Sequence, residues 1–205
     1  MILFDGCSWT WGDELENREK DRFSTLVSDH IGKNHTNISE RGKSNDGILR
    51  TTIEYCENNT VDLAIIQFTK ISRREILDSK GERYIRINVG NRNDASVLYF
   101  ENLNTNADDI ANFYKNKFLL EHFFKVRGIP YYFVCLNQKK DLLYKRKPSS
   151  WQKMSDTKPV TSLYTLFGGN KYDGTPYFNY PHAERGGHPN IKGHQKIAEH
   201  ILQNL

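Results

Sequence analysis

The chain contains no apolar run approaching the roughly 18 residues that a membrane helix needs, so no membrane partner is expected. Its start, MILFDGCSW, lacks a basic stretch followed by a long apolar one. No secretory signal is read there, and a cytoplasmic location is expected; a phage product made in a host cytoplasm would look the same. Cysteine is scarce: Cys7, Cys56 and Cys135 have no paired spacing, which argues against a disulfide framework or a zinc knuckle. Their odd number suits a reducing compartment. A large charge of one sign is also missing. The 29 Lys and Arg against 25 Asp and Glu leave a net charge of +4 over 205 residues, too mild to call for a nucleic-acid partner. The densest basic run, KKDLLYKRK over 139–147, reads as a solvated loop.

What remains is a polar chain of globular type, with 37% apolar and 26% charged residues. Its length allows one sizeable core and is short for two, so a single domain over 1–205 is expected. Eleven Tyr and eleven Phe supply much of the hydrophobic content. Most of these rings fill the core, but a Tyr-rich chain can also present an amphipathic binding face.

The periodicity predicts strands and helices in turn. Ile2, Leu3 and Phe4 form a short first strand stopped by Asp5 and Gly6, and a helix carrying Phe23, Leu26, Val27 and Ile31 follows, closed by Gly32. A weak strand is read at 36–39, a Gly- and Asn-bearing loop at 40–47 and a helix at 48–57. The run VDLAIIQF at 61–68 is of the kind found in a parallel sheet covered on both faces. Residues 80–105 break the rhythm with one alternating strand and a Gly- and Asn-rich loop, and are read as an insertion at the mouth of the fold. A long helix over 107–126, a buried strand over 129–136, an irregular stretch over 137–186 and a final helix over 191–203 complete the chain. Strands alternating with helices imply a doubly wound, flavodoxin-like three-layer α/β sandwich with a mostly parallel central sheet. Function in such sheets gathers beyond the carboxyl ends of the strands, here loops 5–12, 40–47, 69–78 and 137–190.

Two stretches carry chemistry. Ser8 lies just past the first strand, in Gly6-Cys7-Ser8-Trp9-Thr10-Trp11-Gly12, where a hydroxyl can be exposed beside backbone N–H groups. At the far end, His188 precedes a helix start in Gly187-His188-Pro189-Asn190. A nucleophilic serine needs a neighbouring base, and imidazole is the usual one. His194, inside the helix, reads as a packing or capping residue.

Together these stretches resemble the first and last blocks of the SGNH, or GDSL-like, hydrolase superfamily, of which the chain looks like a divergent member. The first block, G-D-S-x-x-x-G, is matched by Gly6, Ser8 and Gly12, with Cys7 in place of the aspartate. The last, D-x-x-H-P-N-x-x-G-H, is matched by His188, Pro189, Asn190, Gly193 and His194. The resemblance implies Ser8 as nucleophile, His188 as general base and the N–H of Gly42 in the oxyanion hole. Thr69 would replace the third block's asparagine, and the N–H groups of Ser8 and Gly42 would hold the oxyanion with help from Thr69 or Asn45. The family's acid, three residues before the histidine, is here Arg185. Glu184 is the nearest carboxylate, Asp173 a more distant one, and a Ser–His dyad is equally compatible. Losing an orienting carboxylate can cost ~10⁴ in turnover, and one oxyanion donor about 10² to 10³.

Arg73 and Arg74, past Thr69 on the same mouth, could bind an anionic group or form a surface pair with Glu75. Trp9, Trp11 and the tyrosines near 172–180 could stack on a sugar or pack internally. His182, His188 and His194 are too widely spaced for a metal centre. The expected activity is therefore that of a serine esterase removing a small acyl group, such as acetyl, from a carbohydrate without metal or cofactor. An O-acyltransferase and a non-catalytic carbohydrate-binding protein on a decayed scaffold are the competing expectations.

Overall fold

The computed structural model describes residues 1–88, 93–137, 150, 160–167 and 187–205. Three apolar segments build the middle of its main sheet: β1 (Ile2–Asp5), β3 (Leu63–Phe68) and β6 (Tyr131–Cys135). β2 (His35–Asn37) and β7 (Thr161–Ser162) extend it, giving the order β2-β1-β3-β6-β7 with every neighbouring pair parallel. Alternate residues of each strand feed opposite faces, the two-residue period of a strand. Ile2, Phe4 and Ile65 pack with Phe23, Val27, Ile197 and Ile201 on one side. Leu3, Ala64, Ile66 and Phe68 pack with Ile48, Phe113, Leu120 and Phe124 on the other. The helices that cover these faces are α3 (Phe23–Ile31) and α8 (Ile191–Asn204) against α4 (Asn45–Asn58) and α6 (Asn106–Arg127). A doubly wound α/β sandwich results, as the alternation of elements implied.

Chain order reverses direction at β1: β2 lies on one side of it and β3 on the other. At such a switch point neighbouring crossovers run to opposite faces, which opens a crevice beyond the strands' carboxyl ends. The Ser8 loop leaves β1 there, and the Thr69 loop leaves β3.

Three segments differ from the sequence expectation. Loop 69–78 contains β4 (Arg74–Leu77), which pairs antiparallel with β5 (Tyr84–Ile87) in a separate two-stranded sheet. Its pattern is inverted: Arg74 is buried, while Ile76 and Leu77 are exposed. Burial of Arg74 is made possible by Asp108 and Asp109, whose carboxylates lie 2.5 and 3.3 Å from its guanidinium. The loop expected after β5 holds α5 (Asp94–Asn102), begun by Asn93, whose side chain accepts from the N–H of Ser96. Leu98 and Val97 face outward, so no apolar stripe marked it. The stretch 137–186 supplies β7 and the short α7 (Leu163–Leu166), too brief to leave a period. No helix among the described residues is long and apolar enough to cross a membrane.

Candidate active site

The serine's position is set from beneath by Gln67. This wholly buried side chain on β3 accepts at Oε1 from the hydroxyl of Thr10 (2.9 Å), from the N–H of Cys7 (3.4 Å) and from its thiol (3.4 Å). Its own amide donates to the carbonyl of Phe68 at 2.9 Å. Gly6 makes the approach possible. A β-carbon there would meet Thr10 Oγ1 at 2.3 Å and Gln67 Cβ at 3.0 Å. Cys7 is thereby turned into the core, fully buried, and Ser8 opens the short helix α1 (Ser8–Trp11), which the equally short α2 (Arg18–Asp21) follows. The N–H groups of Gly12 and Asp13 close that helix on the carbonyl of Ser8, at 3.1 and 2.9 Å, with Gly12 left-handed at φ 82°.

The histidine arrives from the other end of the chain. Asn190 caps α8 by accepting from the N–H of Gly193 at 3.1 Å. His194, one turn in, accepts the N–H of Phe23 at Nδ1 (3.1 Å) and stacks on its ring, docking α8 onto the start of α3. Burial, with His188 and Arg22 nearby, pushes the His194 imidazole down to about 3, so it is neutral and serves as a cap. Across 180 residues of sequence, Nε2 of His188 then lies 2.9 Å from Ser8 Oγ.

Two carboxylates flank that imidazole, both missed in the sequence because they sit in a polar stretch without a motif. Asp13 Oδ2 is 3.8 Å from Nε2, and its other oxygen is paired with Arg41. Glu14 Oε2 is 3.3 Å from Nδ1, in ion-pair range but off the N–H direction, so Nδ1 has no aligned hydrogen bond among the described residues. Glu184, Asp173, His182 and the tyrosines near 172–180 lie outside the described residues.

Gly42 is left-handed at φ 70°, and a β-carbon there would meet nothing within 4 Å; glycine is needed for the backbone angle and not for space. Beside it, Lys43 is buried in an ion pair with Asp5 at 2.7 Å and also donates to the carbonyl of Ile38. Asp5 further accepts from Gly6 N–H, Thr51 and Thr52, so the Gly42 loop is tied to the end of β1 from which Ser8 departs.

Asn45, the alternative to Thr69 as a helper at the oxyanion, has its amide engaged by backbone. It is fully buried, and its amide engages the backbone of Thr69, accepting from the N–H at 2.8 Å and donating to the carbonyl at 3.4 Å. Asn137 donates to the same carbonyl at 2.8 Å. Both amides hold the Thr69 loop in place. Arg73 donates to Thr69 Oγ1 at 2.8 Å, while Glu75 pairs with Arg50 instead. Trp9 is buried against Phe167. Trp11 is half-buried with Arg18 over its ring, and lines a cleft of about 350 Å³ with Glu40, Arg41 and Arg86. No group of three or more metal-ligating side chains occurs among the described residues.

No protein-family model and no curated protein sequence matches the chain. Solved structures do. A protein assigned to the lipolytic G-D-S-L family from Desulfitobacterium hafniense DCB-2 superposes with a TM-score of 0.60, covering 100% of this chain and 98% of that one at 8% identity. This chain has the SGNH hydrolase fold. The psychrotrophic esterase EstA from Pseudoalteromonas sp., in a structure inhibited by monoethylphosphonate, shares it at a TM-score of 0.52 and 13% identity, over 98% of this chain and 94% of that one. At such identities the SGNH likeness speaks for the architecture, and the chemistry has to be argued from the side chains.

Proposed function

We propose that the protein is a serine ester hydrolase that removes small acyl groups, acetyl foremost, from a carbohydrate. The observation that carries this is the 2.9 Å approach of His188 Nε2 to Ser8 Oγ, at hydrogen-bond distance for a nucleophile and its base. Ser8 attacks the ester carbonyl as its proton passes to Nε2. The N–H groups of Ser8 and Gly42 receive the developing oxyanion. Thr69, buried and accepting from Arg73 at its hydroxyl oxygen, is the third donor that the resemblance suggests. The imidazolium then protonates the leaving alcohol, and water, activated by the same imidazole, releases the acyl group from Ser8. For the sugar, support comes from the cleft that the half-buried indole of Trp11 lines with Glu40, Arg41 and Arg86, an apolar ring beside hydrogen-bonding groups, suited to a ring bearing both C–H and O–H.

The test is hydrolysis of p-nitrophenyl acetate and of an acetylated oligosaccharide. Ser8→Ala and His188→Ala are each expected to fall by at least about 10³-fold, to background. Turnover that survives in Ser8→Ala but vanishes in Cys7→Ala would defeat the assignment. Binding of the oligosaccharide with no turnover by any variant would point to a carbohydrate-binding protein.

A further inference from the structure

We infer that Glu14 is the residue that orients the catalytic imidazole, so that nucleophile and orienting acid come from one short loop. This rests on the Ser8–His188 reading above. Four observations converge on it. First, Glu14 Oε2 lies 3.3 Å from Nδ1, the nitrogen that faces away from Ser8, whereas Asp13 lies 3.8 Å from Nε2, the wrong side for an orienting group. Second, Asp13 is already paired with Arg41, while His188 is the one side chain within ion-pair distance of the Glu14 carboxylate among the described residues. Third, Nδ1 is shut off from solvent and has no other acceptor there. Fourth, Glu14 is the one non-glycine residue among those described with a left-handed backbone, at φ 68°.

Such a conformation costs an ordinary side chain about 1–2 kcal/mol and is kept where surrounding structure or function demands it. Here the demand is visible. Gly12 at φ 82° and Glu14 at φ 68° turn the chain twice within three residues, and this double turn brings the carboxylate back over His188. Glycine or asparagine would hold the turn with less strain, but neither could reach Nδ1 with a carboxylate. In the resting protein the contact is long and misaligned; catalytic hydrogen bonds commonly tighten only when substrate binds. The proton on Nδ1 stays on the imidazole throughout. Glu14 acts by fixing the tautomer that leaves Nε2 free to accept from Ser8, and by facing the imidazolium once it forms.

The variant that separates function from structure is Glu14→Gly, which relieves the backbone and deletes the carboxylate. Its melting temperature is expected to equal or exceed that of the parent, while kcat falls by about 10³- to 10⁴-fold with KM within about threefold. Added formate is expected to restore at least about tenfold of the lost kcat. Independently of turnover, ¹⁵N NMR of the resting protein is expected to show the Nδ1–H tautomer of His188 in the parent and its loss in Glu14→Gly. A kcat within about threefold of the parent, or an unchanged tautomer, overturns the inference; so does a loss that appears in Glu184→Ala or Asp173→Ala and not in Glu14→Gly. Because the tautomer is read without substrate, an inactive parent protein would count against the proposed hydrolysis and leave this result decisive on its own.

Discussion

Ser8 and His188 meet at one point but are held there by very different means. Beneath the serine, Gln67 clamps Cys7 and Thr10 from the middle of the sheet, Asp5 binds the N–H of Gly6, and Lys43 ties the neighbouring loop to the same carboxylate, all of it buried. The histidine has no comparable web among the described residues. It stands three residues before a helix, relies on the Asn190 cap and the His194–Phe23 dock to place that helix, and has a single carboxylate at its back. The nucleophile is thus fixed by the sheet, and the base by how one helix sits. A reaction in which Ser8 stays still while the imidazole passes a proton from attacking to leaving group is suited to that division.

The comparison can be broken from the serine's side first. Gln67→Leu keeps the volume but removes the acceptor for Thr10 and Cys7. Leaving those buried donors unpaired should cost about 2–4 kcal/mol in a denaturant melt, and the loosened loop should lower kcat by about 10²-fold. Loss of stability with kcat unchanged would mean that Gln67 supports the sheet and not the nucleophile.

On the histidine's side the handle is pH. The unfolded chain protonates His194 at the ordinary 6.5, whereas the folded one resists until about 3. More protons are therefore bound on unfolding between those values, so the stability His194 contributes is complete above 6.5 and drains away as pH falls toward 3, at roughly 1.4 kcal/mol per pH unit. Asp109, which burial raises to about 6, works in the opposite sense between 3.8 and about 6, its contribution fading as pH rises. Subtracting a His194→Gln stability curve from the parent curve cancels that contribution. The difference should slope between pH 3 and 6.5 and be flat above; a flat difference throughout would mean that the dock does not depend on a neutral imidazole.

The smallest effect sharpens the picture at the oxyanion loop. Gly42→Ala introduces a β-carbon that touches nothing, so only the left-handed angle is penalised, by about 1 kcal/mol. A larger fall in kcat than in stability would place its N–H in the reaction. Equal small losses would make Gly42 a turn residue alone.

Much of this was legible in the chain because it depends on local pattern. Apolar runs marked β1, β3 and β6, and two motif-bearing loops gave Ser8 and His188, which topology then joined at the switch point. What escaped depends on tertiary partners. Arg74 inverts the pattern of β4 because two acids on α6 bury it, and Asn45 was drawn toward the substrate when its amide is engaged by Thr69. Glu14 sits among ordinary polar residues, and only its backbone angle and the arrival of a histidine from the far end of the chain single it out. Asp5 and Lys43 left a fainter trace, opposite charges beside Gly6 and Gly42, that a pairing of the two loops would have revealed.

The central claim is that an activated hydroxyl sits at position 8, and covalent capture tests it most directly. A fluorophosphonate added to the folded protein, followed by peptide mass mapping, should leave one adduct on Ser8, absent in Ser8→Ala and formed far more slowly in His188→Ala. An adduct on Cys7, or none on the folded chain, would contradict it.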